Sequence, residues 1–190
     1  MEWRDEGVIL SVRKHQETAT IVEVLTRAHG RHAGVVRGGA SRKMAPHLQA
    51  GNQVDVTWQA RLEDHLGTFK LEVSQARAAV LMGSRRGLAG LGAVTALCQA
   101  LLAEREPQAA LYQATCVLLD LIAEDGPWPP VYVRWELALA EALGFPLDLS
   151  RCAATDQTED LIYVSPKSGR AVSRTGGAGW EDRLLPLPGF

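Results

Sequence analysis

The sequence has few cysteines, and none of them are paired. Cys98, Cys116 and Cys152 are an odd number with no C-x-x-C spacing. This pattern argues against a disulfide framework and against a four-ligand zinc site, and it is typical of a reducing cytoplasm. Cys98 and Cys116 lie in apolar helical patterns, where a free thiol is most often a small buried hydrophobe. We therefore expect no structural metal and no cofactor.

Signals for membranes and for export are also missing. The longest apolar run, residues 88–104, is interrupted by glycines, Thr95 and Gln99 and is shorter than the ~20 residues that span a bilayer. The opening MEWRDEGVIL carries three acids where a secretory signal needs a basic head and an apolar core. We expect a cytoplasmic protein that does not associate with membranes.

Catalytic motifs are absent from the chain. The patterns GxxxxGK[ST], GxSxG, HExxH and DxD do not occur, and GVVRGG lacks the lysine and serine of a phosphate loop. The five histidines are expected to be solvated in loops between strands. The sequence therefore predicts a protein that is not an enzyme. The enzymatic alternative is a hydrolase in which the histidines act as acid–base groups together with Asp55 or Asp64.

Acidic residues are missing from one long window. The formal net charge of the chain is −2, yet no Asp or Glu occurs between Glu23 and Asp55. Residues 1–80 hold 11 Lys and Arg against 9 Asp and Glu, whereas residues 81–190 hold 9 against 13. The cations and histidines of the window are Arg27, Arg31, Arg37, Arg42, Lys43, His29, His32 and His47.

The first eighty residues alternate apolar and polar positions. The segments GVILSVR, TIVEVLT, NQVDVTW and TFKLEV each have the period of two that is typical of a half-buried strand. With HAGVVR they make five short strands, separated by turn signals such as AHGRH and RGGASRK. Such strands, with a long connection after the third, indicate a small Greek-key barrel of the OB type. Trp58 should point inward with Val54 and Val56.

After residue 84 the hydrophobic period becomes helical. Apolar residues recur at helical spacing over 88–101, 111–121 and 131–139, which predicts three helices. Near the end, LIYVS and RAVSR flank the turn PKSG and predict a β-hairpin. The fold class is therefore α+β. Its predicted domains are an OB-type barrel at 1–80 and a helical domain at 81–190 with a hairpin segment at 150–180.

The segment GVVRGGASRK gathers cations around paired glycines. Glycine permits positive φ and lets a phosphate approach the backbone closely. A phosphate backbone running across one end of a small barrel would pass such positions. The alternative is a solvated loop that only keeps the protein soluble. The predicted DNA contacts are Arg13, Lys14, Arg31, Arg37, Gly38, Gly39, Arg42 and Lys43.

Three blocks in order along the chain resemble the bacterial RecO family of recombination mediators. They are WRDEGVILSVRKHQETATIVEVLTRAHGRHAGVVRGGASRK, RWELALAEALGFPLDLSRCAAT and YVSPKSGRAVS. The resemblance implies binding to single- and double-stranded DNA, annealing of complementary strands, and help in loading the RecA recombinase on strands covered by single-strand-binding protein. It also implies partnership with RecR, a functional link to RecF, and a cytoplasmic location at the nucleoid.

Two departures from the family pattern bear on this interpretation. Some members carry a four-cysteine zinc site around the position of Cys152, but CAAT has no second cysteine and Val172-Ser173 stands near the place of another. We predict no zinc. Members usually continue with further helix beyond Phe190, and the apolar tail LLPLPGF has nothing after it to pack on. We therefore expect either a tail that docks on the helices or a truncated chain.

The resemblance further implies a groove in the helical half for the acidic, phenylalanine-ended tail of single-strand-binding protein. Such a peptide needs an apolar pocket with one or two cations at its mouth. Arg134, beside Trp135, is the candidate, because Arg105 is the only other cation between residues 87 and 150. The alternative partners for Arg134 are the carboxylates of Glu136, Glu141 and Asp120.

Two hypotheses from different classes follow. The leading one is a DNA-binding mediator with no catalytic activity. The runner-up is an OB-fold module that binds a protein or RNA partner and does not bind DNA directly. The salt dependence of the affinity distinguishes DNA binding from an apolar protein contact. Neutralising phosphates releases counterions and makes the affinity for DNA strongly salt-dependent.

Overall fold

Five strands at the start of the chain close into a barrel. In the computed structural model, which describes residues 1–187, they are β1 (Glu2–His15), β2 (Ala19–Thr26), β3 (Gly30–Val36), β4 (Gln53–Gln59) and β5 (Thr68–Gln75). The order is β1-β2-β3-β5-β4, and β4 pairs back onto β1. Neighbours are antiparallel except β3 and β5, which pair in parallel at Val35 and Thr68. The predicted OB-type barrel is confirmed.

The apolar positions of the alternating segments fill the barrel. Val22, Val24, Val54 and Val56 are buried there. Trp58 is 1% exposed, and its Nε1 donates a hydrogen bond to the Leu66 carbonyl at 3.1 Å, so the inward orientation expected for this ring is correct. β1 contributes to two strand pairs, because it contacts β4 with its first half and β2 with its second.

Four α-helices follow the barrel in the described residues. They are α1 (Arg77–Leu81), α2 (Arg85–Leu101), α3 (Ala109–Ala123) and α4 (Trp128–Ala142). The three predicted helices are confirmed as α2 to α4, whereas α1 is too short to show a period. Ser84 caps α2, since its hydroxyl accepts a hydrogen bond from the Gly87 N–H at 2.9 Å. Within residues 1–187 no helix combines the length and apolarity needed to cross a membrane.

A buried arginine joins the barrel to the helices. Arg77 is 3% exposed, and its Nε donates to Asp120 Oδ1 of α3 at 2.7 Å. Its Nη1 donates to the side-chain carbonyl of Gln53 in β4 at 2.9 Å, and the Gln53 amide donates to the Tyr112 hydroxyl of α3. The chain divides into two units, Met1–Trp135 and Glu136–Phe190, with the boundary inside α4. The division at residue 80 stays a prediction.

The second unit contains a small antiparallel sheet. Its strands are β6 (Leu161–Val164), β7 (Ala171–Ser173) and β8 (Leu185–Pro186), in the order β7-β6-β8. The turn between β6 and β7 places Gly169 at a φ of +66°, and the Gly169 N–H donates to the Ser165 carbonyl at 2.9 Å. The predicted hairpin is confirmed. Part of the apolar tail forms β8, and residues 188–190 lie outside the described chain.

Candidate nucleic-acid interface

The strand register gathers basic residues at one end of the barrel. Lys14 pairs with Thr20, and Thr20 pairs with Val36 on the far side of β2. Arg37 follows Val36 directly and begins the connection to β4. Lys14 and Arg37 therefore lie at the same end of the sheet, although 23 positions separate them in the sequence.

The connection between β3 and β4, residues 37–52, is folded against the barrel. The Ala40 N–H donates to the Thr18 carbonyl in the β1–β2 turn at 3.1 Å. The Met44 N–H donates to the Ser41 hydroxyl at 3.2 Å, and the side chain of Leu48 is buried in the barrel core. We name residues 37–52 the basic loop. Backbone hydrogen bonds and a buried leucine hold its cations in place.

The two glycines of the basic loop have different roles. Gly38 has a φ of +68°, a conformation that favours glycine, and a Cβ built there would meet no atom within 4 Å. A Cβ on Gly39 would lie 2.1 Å from the Thr20 hydroxyl oxygen. Gly38 thus permits the turn, and Gly39 permits close approach of the loop to β2. Their contact with a phosphate remains a prediction.

The cations of the basic loop are not neutralised by carboxylates of the first unit. Arg37, Arg42 and Lys43 are exposed, and so is Lys14 at the same end of the sheet. None of the four forms an ion pair within residues 1–135. Arg13 differs, because its guanidinium lies 3.7 Å from Glu23, although the side chain is 66% exposed. Such uncompensated charge is what a phosphate backbone attracts.

Arg31 is bound to other groups. Its side chain is 15% exposed and lies 3.3 Å from a Glu23 oxygen and 3.7 Å from a Glu104 oxygen. Its Nε also donates to the Leu102 carbonyl at 2.9 Å. The guanidinium therefore anchors β3 to the segment between α2 and α3. Its contact with DNA stays a prediction.

The outer face of β1, β4 and β5 carries the opposite charge. A shallow groove of about 600 Å³ lies there. Lys70 is 2.8 Å from Glu72 and lowers the pKa of that exposed carboxyl by hydrogen bonding and by its charge. Phosphate would be repelled from this face, which leaves the basic loop as the favoured side for a polyanion. The charged residues of the groove are Glu2, Arg4, Asp5, Asp55, Lys70 and Glu72.

His32 was expected to be solvated in a loop, and that expectation is wrong. It lies in β3 and is 4% exposed. Its ring centroid is 5.2 Å from that of Trp3, 5.1 Å from that of Trp58 and 5.9 Å from that of Phe69. Burial lowers the pKa of His32, although its Nδ1–H donates to the Ala33 carbonyl at 3.0 Å. The residue is a neutral member of an aromatic cluster, which the sequence marks only by its alternation with Gly34 and Val36.

Arg134 lies exposed on α4. Asp120, one of the three carboxylates considered as its partner, is bound to Arg77 instead. The neighbouring Trp135 is buried, and its Nε1 donates to the Thr115 hydroxyl at 2.9 Å. Within residues 1–135 the guanidinium of Arg134 forms no ion pair. Its role toward a peptide stays a prediction.

Cys152 is held by hydrogen-bond donors. It is 1% exposed, and its Sγ accepts from the Ser173 N–H at 3.2 Å, the Ser173 hydroxyl at 3.3 Å and the Ala154 N–H at 3.4 Å. Burial would raise its pKa, but these donors and Thr155 outweigh burial and lower the pKa below that of a free thiol. In the described part of the chain, no three His, Cys, Asp or Glu side chains are grouped so as to hold a metal ion.

Comparisons with known proteins cover the whole chain. A family model described as recombination protein O N terminal matches residues 1–77, and one described as recombination protein O C terminal matches residues 82–190. DNA repair protein RecO of Cereibacter sphaeroides (strain ATCC 17029 / ATH 2.4.9) is 59% identical over 188 residues, which are 99% of this chain and 78% of the relative. The Roseobacter denitrificans protein of the same name is 60% identical over the same shares. The Rhodopseudomonas palustris one is 54% identical over 100% of this chain and 76% of its own length. The chain belongs to the RecO family of DNA repair and recombination proteins.

Proposed function

We propose that this chain is a DNA-binding recombination mediator with no catalytic activity. It binds and anneals single- and double-stranded DNA, and it helps RecA load on strands covered by single-strand-binding protein. The observation that carries the proposal is the basic loop, where Arg37, Arg42 and Lys43 are exposed and unpaired within the first unit. A phosphate backbone can neutralise these cations without first breaking an ion pair.

The distribution of charge also favours DNA binding on one side of the barrel. Lys14 extends the basic surface across the end of β1, while the groove that contains Asp55 and Glu72 is acidic. Annealing needs a surface that holds strands of any sequence, and contacts to phosphate do so because they carry no sequence information. The basic loop has this character.

The proposal extends to partners through the family. RecR and the tail of single-strand-binding protein are the proposed direct partners, with RecA and RecF linked in function. We place the tail on the helical half near Arg134, and we place the protein in the cytoplasm at the nucleoid. These assignments are supported by family membership and by the exposure of Arg134 on α4.

A triple substitution tests the DNA contact. Arg37→Ala, Arg42→Ala and Lys43→Ala together should weaken binding to oligonucleotides of every sequence about equally. The slope of log K against log salt should flatten by about 0.7 to 0.9 for each phosphate contact that is lost. Fluorescence anisotropy at two or more salt concentrations measures both quantities.

A matched control separates the site from overall charge. Arg61→Ala, Lys70→Ala and Arg85→Ala remove the same three charges from exposed positions outside the basic loop. This control should keep most of the affinity and of the salt slope. If the basic-loop variant keeps the DNA affinity of the unmodified protein, the basic loop only maintains solubility, and the runner-up, a module for a protein or RNA partner, becomes the better explanation. If both triple variants are weakened equally, overall charge and not the basic loop determines the affinity.

A further inference from the structure

A cavity that is open to solvent on one side lies between the barrel wall and the basic loop. Its volume is about 380 Å³, within the range of sites for small ligands. One wall is formed by β1 and β2, and the other by the basic loop. The lining includes Val12, Thr20, Gly39, Ala45, Leu48 and Gln49. Apolar side chains such as Val12, Ala45 and Leu48 and polar groups such as those of Thr20 and Gln49 contribute about equally to its surface.

The Thr20 hydroxyl is the unusual group in this lining. Thr20 is 6% exposed, and its Oγ1 is the buried side-chain oxygen or nitrogen in the described residues that lacks a hydrogen-bond partner. Buried hydroxyls nearly always have a partner, because an unmade hydrogen bond is costly away from water. Only glycine fits at position 39 against this hydroxyl, since a Cβ there would lie 2.1 Å from Oγ1, and the loop supplies no hydrogen-bond partner to it.

The lining fits a nucleobase better than a phosphate. No charged side chain lines the cavity, so an anion would find no ionic partner among the lining residues. A base presents apolar faces to Val12, Ala45 and Leu48 and a polar edge to the hydroxyl. The amide nitrogen of Gln49 donates to the Ala45 carbonyl at 2.9 Å, which leaves its oxygen to accept a second hydrogen bond.

The cations of the basic loop lie directly beside the lining residues in sequence. Arg37 precedes Gly39 by two positions, and Lys43 precedes Ala45 by two. A strand whose phosphates contact these cations therefore passes the segment that covers the cavity. We infer that this cavity receives one unstacked nucleobase of single-stranded DNA, with the Thr20 hydroxyl bonded to the edge of the base. The inference rests on the proposed function.

Two oligonucleotides of equal length and charge test the inference. One is oligothymidylate, and the other replaces every nucleotide by an abasic tetrahydrofuran unit, so that the sugar-phosphate backbone remains without its bases. The protein should bind oligothymidylate about five- to tenfold more tightly, the effect of a hydrogen bond and a small buried apolar contact. Thr20→Val removes the hydroxyl at nearly constant shape and should reduce this ratio severalfold. Affinity for the abasic strand should stay unchanged.

A second variant and a control distinguish loss of base binding from misfolding. Ala45→Leu fills the cavity from an exposed position of the loop, and it should also reduce the ratio towards one. Thr57→Val removes a hydroxyl from the acidic groove and should leave the ratio unchanged. Thermal melting followed by circular dichroism checks that each variant is folded.

The possible failures are distinguishable. If the unmodified protein binds both oligonucleotides equally well, no base enters the cavity, but the proposed DNA binding stands. If the ratio is high and survives both Thr20→Val and Ala45→Leu, bases are recognised elsewhere and the inference is wrong. If neither oligonucleotide binds, the proposed function fails together with the inference.

Discussion

Arginine serves two opposite purposes in this chain, and burial decides which. Arg37 is exposed and unpaired within the first unit, so its charge is available to a ligand. Arg77 is 3% exposed and is used internally, because Asp120, Gln53 and the Gly51 carbonyl all accept hydrogen bonds from it. A buried guanidinium needs all of these acceptors, since its desolvation is costly. Substitution of Arg37 should change ligand binding, whereas substitution at the Arg77 site should change stability.

Removal of the partner of Arg77 should destabilise the first unit. Asp120→Ala leaves the buried guanidinium without its carboxylate, and we expect the free energy of unfolding to fall by about 3 kcal/mol. The matched control is Glu72→Ala, which breaks the exposed pair with Lys70 in the same unit and should cost far less, because exposed ion pairs contribute little to stability. Urea denaturation followed by circular dichroism measures both. An equal loss of stability in the two variants would mean that water hydrates the guanidinium of Arg77 when Asp120 is removed.

His32 should make stability fall in mild acid. Its pKa in the folded protein lies below the ordinary value of 6.5, because the ring is buried. Above pH 6.5 the ring is neutral in both states, and below it the unfolded chain takes up the proton first. Between pH 8 and 5.5 the burial of His32 should therefore cost up to about 1 kcal/mol of stability.

The contribution of His32 to the pH dependence of stability is measured by comparing two variants. His32→Gln should lose this part of the pH dependence of the urea midpoint, whereas the exposed control His47→Gln should keep it. A midpoint whose pH dependence is the same in both variants would show that His32 titrates normally and is not enclosed by the aromatic cluster.

At the scale of elements, local patterns were predictable and distant contacts were not. The alternation around Val54 and Val56 and the helical period after residue 84 each lie within one segment, so the strands and long helices follow from the sequence. The lack of acidic residues in one window of the sequence indicates the basic loop. The bond between Arg77 and Asp120 joins residues 43 positions apart, and no local signal marks it. The burial of Thr20 likewise depends on the fold of a loop that begins 17 positions later.

The exposed cation on α4 gives a prediction about a peptide partner. Arg134→Ala should weaken binding of the acidic, phenylalanine-ended tail of single-strand-binding protein severalfold, because a cation at the mouth of such a site attracts the acidic residues. DNA affinity should stay the same, since the basic loop is a different surface. Arg61→Ala serves as the matched control for an exposed arginine. Fluorescence anisotropy with a labelled peptide measures the effect, and unchanged peptide affinity would remove Arg134 from the site.

At the scale of the whole molecule, the barrel and the first helices depend on each other. Arg31 contacts Glu104 beyond α2, and Arg77 contacts Asp120 in α3. A cut after residue 80 separates both arginines from these carboxylates. The stable unit that contains the basic loop should therefore extend past the barrel to Trp135.

Fragments test this extent. The fragment 1–135 should unfold cooperatively in urea and keep the DNA affinity of the full chain. The fragment 1–80 should unfold at a lower urea concentration, because it leaves the guanidinium of Arg77 without its carboxylate. A fragment 1–80 as stable as 1–135 would instead establish the barrel as a domain that ends near residue 80.

The double use of β1 also sets the order in which the barrel assembles. His15 pairs with Ala19 across a three-residue turn, whereas Glu2 pairs with Gln59, 57 positions away. Closing the longer loop costs about 2 kcal/mol more in chain entropy. We therefore expect the meander of β1, β2 and β3 to form from near neighbours, and the pairing of β4 with β1 to form last. Synthesis favours the same order, because the ribosome releases the meander before β4 and β5, which are both needed to close the barrel.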